Sequence, residues 1–281
     1  MVVDEQFVAR VEAVLREVAR AEILPRFGRL ERADIIEKGP GDLVTVADRA
    51  AERELARRLR ELWPGSQVVG EEAVFLDPTV LEALEGDDPV WIIDPIDGTS
   101  NYAAGNTRFS VLVALARKGE LLASWIYEPW FGRMARAVRG HGAFLDGAPL
   151  HVAQAPDPAA GLRDLEIATS RPSFWSGRAR TAITTLTTHG VSLFYSDGAG
   201  LEYLALASGR RDTALMVWEN VWDHAAGLLL HAEAGGASVC FDGTPFRLAG
   251  GNALPFAVAP DPATAEAIIA GCTTPQARPA D

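Results

Sequence analysis

The segment WIIDPIDGTSNY, residues 91–102, places two aspartates, Asp94 and Asp97, at the end of a short apolar run. Carboxylates so placed are suited to a hard divalent cation, which prefers oxygen donors. In an unbroken strand, residues three apart would face opposite sides. Pro95 argues for a break, because it lacks an N–H and restricts Asp94 to extended geometry. The chain is therefore expected to turn and bring both carboxylates towards one point. Gly98 lets the backbone come close to a ligand, and Thr99-Ser100 could open a helix whose free N–H groups bind phosphate. Together with the carbonyl of Ile96, these groups describe a Mg2+–phosphate site. A turn with an Asp-Gly signal and a capping acid accounts for the same residues with no ligand.

Other acids stand in comparable places. Glu71 and Glu72 follow Val68-Val69-Gly70, at the end of an expected strand. DLVTVAD, residues 42–48, precedes a helix, and Asp223 sits in the first turn of another, in WDHAAG at 222–227 with EAGG at 233–236 beyond. Each has a plainer explanation. Thr45 and Asp48 fit a capping box, and Asp223 fits compensation of the helix dipole. Glu72 reads as a supporting residue. His224 and His231, seven apart on one helix face, read as packing or surface residues, since Mg2+ does not favour imidazole. Trp218 and Trp222 read as core. Haloacid-dehalogenase-type phosphatases carry D-x-D-G-T, the first Asp being a covalent nucleophile. Here two residues, Pro95 and Ile96, separate the acids, which moves the first carboxylate and suits it to metal binding instead.

The elements that must hold these groups follow from periodicity. Phe7, Val11, Val14, Leu15 and Val18 predict an amphipathic helix over 6–27, and Ala51, Leu55, Leu59 and Leu62 a second over 47–62, stopped by Trp63-Pro64-Gly65. Residues 68–69 and 90–93 read as strands, 110–117 with 121–127 as a hairpin, and 135–139 with 143–145 as another strand pair. The Ala- and Pro-rich stretch 151–164 is the expected boundary between halves. Beyond it the pattern predicts strands at 165–169, 213–217 and 237–241. It predicts helices at 178–188, 198–207, 222–234 and from Asp261-Pro262 to Gly271. Strand pairs followed by alternating elements indicate a mixed α/β protein, with an N-terminal α+β half (1–150) and a C-terminal α/β half (151–281).

Composition narrows the class. With 48% hydrophobic and 23% charged residues over 281 positions, the chain is neither disordered nor collagen-like. Its net charge of −12 disfavours direct binding to nucleic acid, which needs clustered Lys and Arg. No stretch approaches the roughly 20 apolar residues of a membrane span, and the N-terminus lacks the apolar region of a signal peptide. Cys240 and Cys272 imply no disulfide framework, so a reducing cytoplasm is expected.

In combination, DPIDGT and WDHAAG…EAGG, preceded by GEE and D-x-V-T-x-x-D, resemble the inositol monophosphatase family of Mg2+-dependent, lithium-sensitive phosphomonoesterases. The stretch GHGAFLDG at 140–147 matches the family's turn before the domain boundary. The resemblance covers nearly the whole chain. It implies the family's layered αβαβα sandwich, a homodimer and a small phosphorylated metabolite as substrate. Glu71, Asp94 and the Ile96 carbonyl would hold one Mg2+, and Asp94, Asp97 and Asp223 a second. Glu71 would also face a weaker third. A metal-bound water would be the nucleophile, activated by Thr99 with Asp48 behind it and placed near Glu71, while Gly98 and Thr99 bind phosphate.

The substrate side departs from the inositol-using pattern. Met216 stands where those enzymes usually have Glu, with Glu219 three residues on. The small-residue run there reads Ser196-Asp197-Gly198-Ala199-Gly200, and Ala73 replaces an acid or Ser. The relevant ester is thus an inositol phosphate or, as in related enzymes, histidinol phosphate, fructose 1,6-bisphosphate or a 3′-phosphoadenosine nucleotide. Some bacterial members partner the transcription machinery, so a non-catalytic protein-interaction role is carried as the alternative.

Overall fold

The structure is a computed structural model and describes residues 2–39, 41–154, 161–163, 165–175 and 177–274. Asp4 caps the first helix, α1 (Glu5–Val18), accepting a bond from the Phe7 amide at 2.8 Å. The helix expected over 6–27 changes character at Ala19, where the chain makes a π-helical turn to Ile23. Carbonyls there find side-chain donors: the Tyr102 hydroxyl bonds Ile23 O at 2.7 Å and Arg26 bonds Glu22 O at 2.5 Å. A short hairpin, β1 (Ile35–Gly39) and β2 (Asp42–Thr45), leads into α2 (Val46–Leu62).

The main sheet has seven strands: β3 (Gln67–Gly70), β4 (Pro89–Asp97), β5 (Ser110–Arg117), β6 (Glu120–Glu128), β7 (Arg133–Val138), β8 (Ala143–Leu145) and β9 (Ala148–Pro149), in that order. Only the β3–β4 pair is parallel. Two short helices flank the start of this sheet, α3 (Glu71–Leu76) after β3 and α4 (Thr99–Ala103) after β4.

The later part carries β10 (Glu166–Thr169), α5 (Gly177–Thr187), β11 (Ser192–Tyr195), α6 (Ala199–Ala207), β12 (Thr213–Met216), α7 (Val221–Glu233), β13 (Ala237–Cys240), β14 (Phe256–Ala259) and α8 (Pro262–Gly271). Its five strands run β11-β10-β12-β14-β13.

Alternation along the strands assigns the layers. Trp91, Ile93 and Val113 pack with Phe7, Leu15, Leu55 and Leu59 of α1 and α2. Ile92, Leu112 and Ala114 face the other way, against Tyr203 and Leu204 of α6 and Ala225 and Leu229 of α7. The same central cluster takes in Ala214 and Val258 of the second sheet. The far face of that sheet packs with Ile183 and Leu186 of α5 and Ile268 of α8. The order is helices, sheet, helices, sheet, helices. Close approach of α6 to α7 requires Gly227, since a Cβ there would lie 2.0 Å from the Tyr203 ring.

The EAGG segment has a structural use. Glu233 accepts bonds from the Gly140 and Gly142 amides at 2.8 and 2.9 Å, tying α7 to the turn between β7 and β8. Much of the 151–164 stretch, residues 155–160 and 164, lies outside the described residues. The hairpin β1–β2, α3, β11 and β14 were not foreseen, because in elements this short the tertiary neighbours decide more than the local pattern.

Candidate metal centre

Sequence reasoning expected β4 to end at Asp94. It continues through Pro95 to Asp97, and the carboxylates meet by another route. Asp94 pairs with Leu112 and Asp97 with Ser110, so three steps along β4 match two along β5. This irregularity absorbs one extra residue, as a β-bulge does. Leu112 and Ser110, two apart, share a face, and the bulge puts Asp94 and Asp97 on one face as well. Pro95 is tolerated because a bulge leaves a ladder N–H unused. The Asp94 carboxylate receives the Ile96 amide at 3.0 Å.

Asp97 is gripped from two elements. The Ser110 hydroxyl donates to Oδ2 at 3.0 Å, and the Ala199 and Gly200 amides donate to Oδ1 and Oδ2, each at 2.9 Å. These amides are the free donors at the start of α6, where a negative charge is favoured. Small residues are needed for the approach: a Cβ on Gly198 would lie 2.9 Å from Asp97 Oδ2, and one on Gly200 2.5 Å from Ser110 Oγ. Asp223 enters from the first turn of α7, oriented by the Trp218 indole N–H, which donates to Oδ2 at 2.6 Å. Trp218, read from sequence as core, is thus a half-buried hydrogen-bond donor.

Ligand oxygens of Asp94, Asp97 and Asp223 all lie within 4.8 Å of one another. Burial pushes all three carboxyls up, that of Asp223 to about 7. Mutual repulsion adds to the rise at Asp94 and Asp223, whereas the Gly200 and Ala199 amides hold Asp97 back in part. Among the described residues, no basic side chain is ion-paired with any of the three. Buried, mutually repelling, oxygen-only donors without a protein cation fit a hard divalent ion such as Mg2+.

Glu71, at the start of α3, lies beside this group but is engaged elsewhere. The Lys38 ammonium from β1 donates to Glu71 Oε1 at 2.6 Å and to Glu72 Oε1 at 3.0 Å. Burial pushes Glu71 up to about 8 against the pull of Lys38, with Asp223 adding to the rise. Burial works against the charge on Lys38 too, yet Glu71 and Glu72 hold its pKa above the usual range. Beneath them Glu52 accepts the Glu72 and Ala73 amides at 2.7 and 2.8 Å, fixing where α3 begins.

Asp48 serves two purposes at once. It closes the capping box with Thr45, whose amide donates to Oδ2 at 2.9 Å, and Thr99 Oγ1 lies 3.1 Å from Oδ1. The same hydroxyl lies 2.9 Å from Ile96 O. Gly98, at φ 86°, takes the left-handed conformation that begins α4. His224 is fully buried, its ring bonded to Tyr203 Oη and Trp218 O, and His231 is buried too, so both are packing residues.

Among the substrate-side residues, Asp197, Gly198 and Ala199 stand at the start of α6 beside Asp97. Met216 is buried in the central core, and Glu219 accepts bonds from the Asn252 backbone and side chain. Sequence reasoning missed Lys38, Glu52, Ser110 and the role of Trp218. Glu52 had a signal, one helical turn beyond Asp48, and Ser110 another, as the polar head of an apolar strand. Lys38 had none.

These shifts govern the metal-free fold. A carboxyl whose folded pKa is raised stabilises the fold fully below its unfolded value. That contribution is lost as pH rises through the folded one, about 7 for Asp223 and about 8 for Glu71. Burial pushes His224 down to about 3 and His231 to about 4, so their contribution is present above the unfolded value and lost as pH falls through these. Metal-free protein should melt clearly higher at about pH 5 than at about pH 8, and Mg2+ should raise Tm most at about pH 8. Calorimetry that found equal Mg2+-induced shifts at both pH values would detach the cation from these carboxyls.

Five alternating layers with a carboxylate cluster at the end of an inner strand are the arrangement that the family resemblance implies. The chain belongs to the inositol monophosphatase family, whose model matches residues 3–272. It is 34% identical over 243 residues to an inositol-1-monophosphatase of Rhizobium meliloti, covering 83% of this chain and 84% of that protein. It is 33% identical over 229 residues to the Nus factor SuhB of Pseudomonas aeruginosa, covering 78% and 80%. The structure resembles a Thermotoga maritima IMPase with a TM-score of 0.76 and 25% identity, covering 95% of this chain and 96% of that one.

Proposed function

We propose that this chain hydrolyses a small phosphate monoester with Mg2+, by attack of water. The observation that carries this reading is the meeting of Asp94, Asp97 and Asp223 within 4.8 Å, with Thr99 and Asp48 hydrogen-bonded alongside. Glu71, Asp94, the Ile96 carbonyl, Asp97 and Asp223 would hold two or three ions per subunit. Bound there, Mg2+ would polarise the phosphoryl oxygens, lower the pKa of the attacking water and stabilise the leaving oxygen.

The protein's own groups supply orientation and a proton path. The Thr99 hydroxyl has one proton and two lone pairs. Donating towards Asp48 Oδ1, it leaves a lone pair to accept from water, so the water's proton can pass to Thr99 as Thr99 passes its own to Asp48. Burial pushes Asp48 up to about 6, near the working range of a general base. Gly98 and the Thr99 amide face the phosphate, and Lys38 holds the Glu71 carboxylate in place.

Inositol 1-phosphate is the first candidate substrate. Histidinol phosphate, fructose 1,6-bisphosphate and 3′-phosphoadenosine nucleotides are the alternatives, because Met216 is apolar and buried in the core. Phosphate release is expected from at least one of the four with Mg2+, abolished by EDTA and inhibited by Li+. No release from any of them would sink the reading. The protein is further read as a cytoplasmic homodimer without a nucleic-acid or membrane partner, and a monomer at micromolar concentration in sedimentation would overturn the dimer. Among the described residues, no helix is long and apolar enough to cross a membrane. The likeness to a Nus factor favours a second reading, a protein-interaction role, in which capture of a partner survives Asp94→Asn.

A further inference from the structure

Beside the acidic centre the structure gathers two arginines about one aspartate. Asp197 Oδ2 lies 3.0 Å from Arg108 Nε, and Asp197 Oδ1 lies 3.2 Å from Arg171 Nη2. The three residues come from separate places: the loop before β5, the loop after β10 and the turn before α6. Their position relative to the carboxylates is fixed by the backbone. The Asn101 amide group donates to the carbonyls of both Arg108 and Asp197, at 2.9 and 3.0 Å. A Cβ on Gly98 would lie 3.0 Å from Arg108 O and 3.6 Å from Asp197 O. The residue after Asp197 is Gly198, whose own Cβ would lie 2.9 Å from Asp97 Oδ2. The backbone that carries Arg108 and Asp197 therefore adjoins both Gly98 and Asp97.

One carboxylate cannot neutralise two guanidiniums, so the cluster carries an excess positive charge in a chain whose net charge is −12. Both side chains are more than half exposed, and among the described residues neither guanidinium has another hydrogen-bond or ion-pair partner. Each thus keeps N–H donors free in the planar geometry that matches carboxylate and phosphate oxygens. Asp197 holds the guanidiniums in place before a ligand arrives, which reduces the ordering cost of binding.

We infer that Arg108 and Arg171, oriented by Asp197, bind a second anionic group on the substrate. The preferred substrates are then phosphate monoesters that carry a further phosphate or carboxylate. This rests on the phosphatase reading above and narrows its substrate class.

Two matched pairs test it with Mg2+: fructose 1,6-bisphosphate against fructose 1-phosphate, and 2-phosphoglycerate against glycerol 2-phosphate. Charge-assisted bonds from guanidinium to an anion predict a wild-type kcat/KM higher by about tenfold or more for the doubly anionic member of at least one pair. The pair that shows it tells phosphate from carboxylate. In R108A/R171A that advantage should shrink to about twofold or less, most of the change lying in KM. Both side chains are exposed, so Tm should hold. Equal kcat/KM within both pairs for the wild type, or an advantage that survives R108A/R171A, overturns the inference.

Calorimetric titration of the same pairs into Asp48→Asn with Mg2+ reads the preference as a ratio of Kd values, without dependence on turnover. Equal Kd values within both pairs overturn the inference. A retained Kd ratio in Asp48→Asn, together with a wild type that hydrolyses none of the esters, upholds this anion site and counts against the phosphatase reading alone.

Discussion

Asp94→Asn is expected to abolish phosphate release while leaving the fold intact. Asp94 is 2% exposed, its oxygens meet those of Asp97 and Asp223, and Glu71 is the largest charged contributor to its raised pKa. Asp97, Asp223 and Asp48 add to that rise. Asparagine keeps the shape and one oxygen, so the bond from the Ile96 amide can persist. It removes the charge that a shared cation needs. Charge stabilisation by a bound metal is worth several kcal/mol, and each ~1.4 kcal/mol is tenfold, so kcat/KM should fall by about a thousandfold or more. Stability should move the other way. Removing one of several mutually repelling buried charges should leave metal-free Tm at pH 8 equal to or above that of the wild type, and the Mg2+-induced rise in Tm should disappear. Near-normal turnover at saturating Mg2+ would show that Asp94 does not hold the ion.

Asp48→Asn separates the two uses of one side chain. Asp48 is fully buried, with the Thr45 amide on one oxygen and the Thr99 hydroxyl near the other. Asparagine can keep its oxygen towards Thr45 and turn its amide towards Thr99. It caps nearly as well as aspartate, so stability should change by no more than about 1 kcal/mol. The Thr99 oxygen then receives a hydrogen bond and directs its proton to Ile96 O, already 2.9 Å away. Thr99 remains in place but has no base to pass a proton to. Loss of general-base catalysis predicts a fall in kcat of about a hundredfold or more. Mg2+ dependence should shift much less than in Asp97→Asn. The acid limb of the kcat profile near pH 6, set by the raised pKa of Asp48, should vanish. Unchanged kcat with a lowered Tm would leave Asp48 as a helix cap alone.

The reach of the sequence follows the range of the forces involved. Helix α2 was legible because its apolar spacing, the Thr45–Asp48 capping box and the Trp63-Pro64-Gly65 stop all act within a few residues. The cap of α8 by Asp261 was legible for the same reason. Asp94 and Asp97 could be singled out because they follow an apolar run at the end of a strand, whereas Glu71 and Asp223 were named as ligands through the resemblance to the family.

How the carboxylates meet was not legible. The sequence argued for a break at Pro95, whereas pairing with β5 keeps the strand going and resolves the conflict with a bulge. A register shift depends on the partner strand, and no local propensity encodes it. Equally hidden were the α6 amides on Asp97, about a hundred residues away, the Lys38 ammonium on Glu71 and Glu72, and the Arg108–Asp197–Arg171 cluster. Sequence alone determined which residue types stand at the ends of which elements, because that depends on short-range spacing. Tertiary structure alone decided which of them share a charge, a proton or a donor, because those partners are brought together only when the layers pack.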